Sequence, residues 1–147
     1  MTFEDLPKDW PSRPLDDPIV GPDVVDLCVS YKDRLDGGLS VLFCRADATL
    51  AQPVFIGDFE LGDDLALAAE RMIEIGTSLP GVGGLVMSVV REVGCPTDED
   101  RRVHQRALEV CASYDMRLVA FNVVTASGIT PLAVAPELSL ADPNAAA

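Results

Sequence analysis

Apolar positions along the chain alternate between helical and strand periods. Val24, Leu27, Cys28, Tyr31 and Leu35 recur at three- and four-residue steps, so residues 23–35 read as an amphipathic helix. Pro22 and Asp23 suit its start, and Asp36-Gly37-Gly38 its end. Two short apolar runs follow, Leu39–Cys44 and Pro53–Phe59. The polar stretch Arg45-Ala46-Asp47-Ala48-Thr49 lies between them, and together they read as a β-hairpin. Gly62-Asp63-Asp64 opens a second helix, with Leu65, Ala68, Ala69, Met72, Ile73 and Ile75 on its apolar face and an end near Gly76. Leu85–Val90 is almost wholly apolar, as a central strand covered on both faces must be. Thr97 caps a third helix, Asp98, Glu99 and Asp100 fill its first turn, and Val103, Ala107, Val110, Cys111 and Tyr114 form its stripe. Leu118–Thr125 reads as another buried strand, and Ile129–Val134 as a short edge strand weakened by Pro131. This order predicts an α/β fold: a single three-layer α/β/α domain with a mixed sheet of about five strands.

The two ends have a different texture. Pro7, Pro11, Pro14, Pro18 and Pro22 recur among acidic residues, so residues 1–22 read as an extended Pro-rich acidic arm. Trp10, the only tryptophan, either pins this arm to its own domain or docks it on another chain. Residues 23–135 make up the α/β domain, and residues 136–147 read as a flexible C-terminal tail.

Composition narrows the classes of function. The chain has 147 residues and is 48% hydrophobic but only 5% aromatic, so its core must be built mainly from Val, Leu, Ala and Ile. Eleven basic residues face 24 acidic ones, for a net charge of −13. That balance repels a phosphate backbone and an anionic membrane surface, and it favours solubility or a basic protein partner. No apolar run reaches the roughly 18–20 residues of a membrane span. The start Met1-Thr2-Phe3-Glu4-Asp5 has neither the basic beginning nor the apolar core of a signal peptide, so a cytoplasmic location is expected. Cys28, Cys44, Cys95 and Cys111 contain no Cys-x-x-Cys pair, and the first, second and fourth lie in apolar phase as free thiols of a reducing compartment do.

Few residues offer chemistry. Cys95 stands just before a helix start, where the dipole favours a thiolate. Its only conceivable base, His104, lies about two turns into that helix, out of natural reach. His104 sits among Arg101, Arg102 and Arg106 and reads as a partly exposed helix residue. Leu79-Pro80-Gly81-Val82-Gly83-Gly84 precedes a strand and lacks Gly-Lys-Ser/Thr, so it reads as a loop and not as a phosphate cradle. Asp16-Asp17 and Asp63-Asp64 lack the alternate spacing of a calcium loop.

The segment Leu85–Asp100 runs from an apolar strand through a Gly/Pro turn into an acidic helix start. It resembles the JAMM/JAB motif of RadC-type and deubiquitinase-like proteins, in which His-x-His ends the strand and Ser-x-x-Asp opens the helix. The hairpin Leu39–Phe59, the Gly-rich approach to Leu85 and the strand Met116–Val124 extend the resemblance over about residues 38–134. It implies a cytidine-deaminase-like sandwich and, in active members, a zinc held by two histidines and an aspartate with a glutamate as base. Here Val89 and Arg91 stand where the histidines belong, and the glutamate would fall near Gly38 or Ser40. The resemblance therefore implies a non-catalytic relative with no catalytic residue, no metal ligand set and no cofactor. Arg91, Cys95, Thr97 and Asp100 are the candidate ligand-binding residues of a vestigial pocket, in which Arg91 is expected to pair with Asp100. Thr97 and Asp100 are explained by a helix N-terminus alone, which is the favoured reading of that pair. The implied role is contact with a protein partner or a second copy of the chain. The alternative is a small enzyme or ligand-binding domain using Cys95 and Arg91.

Overall fold

The chain's architecture follows from a computed structural model that describes residues 3–57 and 64–133. Strand β1 (Gly38–Arg45) pairs antiparallel with β2 (Leu50–Ile56) through a tight turn, which gives the expected hairpin. Helix α3 (Leu65–Thr77) leads to β3 (Val82–Val90), which adds antiparallel to the other side of β1. Helix α4 (Asp98–Ser113) then returns the chain to β4 (Arg117–Thr125), which lies parallel to β3. The short β5 (Gly128–Pro131) closes antiparallel on β4. The result is one mixed five-stranded sheet in the order β2-β1-β3-β4-β5, as an α/β domain requires.

Two apolar clusters cover the two faces of this sheet. On one face, Leu39, Val41, Phe43, Leu85, Met87, Val89 and Phe121 pack against Ala69, Met72 and Ile73 of α3 and Val103, Ala107, Val110 and Cys111 of α4. Phe43 and Phe121 are its largest fully buried side chains, each contributing about 1.5–3 kcal/mol by leaving water. Gly76 lets α3 approach this layer, since a Cβ there would stand 2.7 Å from the Phe43 ring. On the other face, Leu42, Cys44, Val86, Val90 and Val124 pack against Leu15 and against Val20, Val24, Val25 and Val29. Ion pairs between Arg106 and Glu70, and a Tyr114 hydroxyl that donates to Glu74, tie α4 to α3 at the surface.

The N-terminal region departs from the expected arm without regular structure. Phe3–Asp5 and Trp10–Ser12 form single 3-10 turns, Pro14 bridges to Thr49, and Trp10 packs half-buried against the second cluster. Helix α1 (Val20–Cys28) begins inside the span assigned to the arm, with Pro22 in its first turn. A proline is tolerated there because a first-turn N–H has no helical partner to lose. The expected helix over 23–35 is in fact two. Val29 is extended, and Ser30 restarts the chain as the N-cap of α2 (Tyr31–Asp36), its hydroxyl accepting from the Asp33 amide. Strand β2 also starts earlier than expected, at Leu50, and carries Pro53 in its middle. The last strand stops at Pro131, short of the expected Val134, and the tail assigned to 136–147 and the Phe59 and Gly62-Asp63 positions lie outside the described residues.

Candidate functional site

Strand β3 and helix α4 meet at the loop that holds the candidate residues. The ladder between β3 and β4 runs one residue past Val90, because the Arg91 amide donates to the Val124 carbonyl at 3.0 Å. Val89 and Arg91 lie two apart, so both side chains leave the same face of β3, the one that α4 covers. Val89 is spent in the core, whereas Arg91 reaches the edge of α4. Gly94, with φ of 117°, folds the loop back over the guanidinium, and a Cβ there would stand 3.3 Å from Arg91 Nε.

Helix α4 opens on a reciprocal cap. The Thr97 hydroxyl accepts from the Asp100 amide at 3.2 Å, and the Asp100 carboxylate accepts from the Thr97 amide at 2.8 Å. Asp100 thus serves two purposes, since Arg91 also grips it with both ends of the guanidinium, Nη1 to Oδ1 at 2.8 Å and Nη2 to Oδ2 at 2.7 Å. Arg91 Nη2 donates in addition to the Cys95 carbonyl at 2.7 Å. The Asp100 side chain is only 3% exposed and that of Arg91 27%, so the pair is desolvated mainly on the acid's side. Burial alone would raise the Asp100 pKa. The Arg91 hydrogen bonds, the Thr97 amide and the arginine charge outweigh it and hold the carboxyl below the usual range. The Asp100 hydrogen bonds raise the Arg91 pKa in turn.

Arg91, Cys95, Thr97 and Asp100 lie together on one loop and one helix start. The Asp100 carboxylate is held between the Arg91 guanidinium and the Thr97 amide. The Cys95 thiol is exposed, and it is the carbonyl of this residue, not its sulfur, that Arg91 engages. Gly38 and Ser40, the predicted place of the missing glutamate, pair with Val90 and Ser88 and so belong to the opposite face of the sheet. The β1 residue beside Val89 is Leu39, an aliphatic side chain with no proton to give or take. His104 is also misplaced by the helical reading. It is 7% exposed and stacks on Phe121 with ring centroids 4.7 Å apart. Burial lowers its pKa and favours the neutral imidazole. Among the described residues no group of three His, Cys, Asp or Glu side chains stands together as a metal set.

Two other buried polar groups have only a faint sequence signal. Arg34, hidden in the charged run Tyr31–Asp36, donates to the Val29, Asp26 and Thr125 carbonyls and to the Asp26 carboxylate at 2.8 Å. It fastens the end of α1 to the end of β4. Ser40, Ser88 and Asn122 are single polar residues inside apolar strands, and all three are buried. No protein-family model, curated protein or solved structure matches the chain.

Proposed function

We propose that this chain is a non-catalytic JAB/RadC-like domain that acts through protein contacts, with Arg91 standing where an active relative holds its metal. The two-pronged grip of Arg91 on Asp100 carries the reading. A fixed cation there neutralises the one carboxylate left of the motif and leaves it no free oxygen for zinc. The common face of Val89 and Arg91 under α4 and the order of elements support the same reading. Leu27, Tyr31 and Leu35 on the α1–α2 side are large exposed apolar groups, and they supply a contact surface for a protein partner or a second copy.

Three measurements test this together. Chain incubated with zinc and then dialysed is expected to retain no stoichiometric metal. Arg91→Ala is expected to lose about 2–3 kcal/mol of unfolding stability, because Asp100 stays buried without its counter-charge. Tyr31→Asp is expected to weaken self-association or partner binding in sedimentation experiments. Retained stoichiometric zinc would overturn the reading, as would an Arg91→Ala variant unchanged in both stability and association. The exposed thiol of Cys95 keeps one competitor alive, a small enzyme or ligand-binding domain using Cys95 and Arg91. A thiol mapped to Cys95 that titrates well below the ordinary value of about 8.5 would favour it.

A further inference from the structure

A row of polar side chains crosses the three central strands on the face covered by α1. Register sets Ser40 opposite Ser88 and Ser88 beside Asn122. Their neighbours on this face, Leu42, Val86, Val90 and Val124, are apolar. One bond links the row, from Asn122 Nδ2 to Ser88 Oγ at 3.4 Å, the long end of the range. A side-chain amide has two donors and a carbonyl acceptor with two lone pairs, so this one is far from satisfied by the described residues. Asn122 is only 4% exposed, where such a deficit is costly.

Asn122 also lines a cavity of about 230 Å³ between the sheet and α1. Val86 and Ala120 flank Asn122 on the sheet side, and Pro18, Gly21 and Val25 face it from the helix side. Asp16 and Asp17 also line it, but both are engaged: Asp16 pairs with Arg117 at 3.0 Å, and Asp17 accepts the Ile19 and Val20 amides. Their charges still exclude anions. At roughly 30 Å³ per molecule the space equals about eight waters, yet its apolar walls serve water poorly. An apolar cavity of about 150 Å³ suffices for benzene. Concave apolar walls with one convergent polar group are the usual make-up of a small-molecule site.

We infer that this cavity binds a small uncharged molecule, one ring in size, whose single hydroxyl or amide bonds to Asn122. It lies across the sheet from the Arg91–Asp100 pair and is independent of it. The test titrates phenol and, separately, toluene into the full chain, followed by amide NMR. Phenol is expected to give saturable shifts centred on Gly21, Val25, Val86, Ala120 and Asn122. Asn122→Leu, which keeps the volume and removes the amide, is expected to weaken phenol about fivefold to tenfold while sparing toluene. Ala120→Leu, which fills the space, is expected to abolish both. Thermal melts confirm folding, and Asn122→Ala or Ala120→Val replaces any variant that fails to fold. The inference is overturned if phenol gives no saturable shifts, if the shifts map elsewhere or survive filling of the cavity, or if Asn122→Leu weakens both probes equally.

Discussion

Protonation of His104 must work against folding, because its imidazole lies face to face with Phe121 in a nearly closed site. Burial lowers its pKa in the fold below the unfolded value of about 6.5. Between those two values the unfolded chain binds the proton and the folded chain does not. Stability is therefore complete above about pH 6.5 and falls as the pH drops toward the folded value. His104→Leu is expected to flatten this slope, read as urea midpoints at about pH 7 and pH 5. Parallel pH profiles for the variant and the native chain would show that His104 contributes nothing to it. Asp100 acts lower on the scale. Its depressed pKa adds stability that is present above about 3.9 and lost as the pH falls through the folded value. The Thr97–Asp100 cap was legible in the sequence, because capping is a matter of spacing along one segment. The place of His104 was not. Three arginines near it suggested a solvated face, while the ring itself is turned onto Phe121 from β4, a neighbour no helical period reveals.

At the scale of elements, the break between α1 and α2 shows what a period misses. The apolar spacing from Val24 to Leu35 continues through Val29 and Ser30, yet Ser30 caps a new helix there. Arg34 holds the corner by donating to both the Val29 and Thr125 carbonyls. Arg34→Met keeps much of the side-chain bulk but takes the guanidinium donors away from those carbonyls. It is expected to cost about 2–4 kcal/mol. Hydrogen exchange should then quicken first in α1 and α2, while β1 and β3 stay protected. Uniform quickening across the sheet would mean that the corner is not a separate unit. The hairpin, the two central strands and α4 were readable because each is long or strongly patterned. The buried start of α1 was not, since prolines conceal a helix whose first turn they can occupy.

For the whole molecule, 24 acids against 11 bases make long-range repulsion a standing cost of compactness. The melting temperature is expected to rise as sodium chloride increases from about 0.01 M to 1 M, where the screening length shrinks from about 30 Å to 3 Å. A fall would mean that the surface ion pairs outweigh the net repulsion. The layered architecture was legible from the order of periods alone. The alignment of Ser40, Ser88 and Asn122 was not, because strands buried on both faces carry no alternation from which to read register. Both outer strands of the sheet contain a proline, Pro53 in β2 and Pro131 in β5. A proline offers no N–H to a further strand, and its ring obstructs the approach of one. Neither margin is therefore a good template for stacking copy upon copy. Association in which one helix face meets the same face of a second copy closes as a dimer, whereas edge-to-edge strand pairing grows into a fibre.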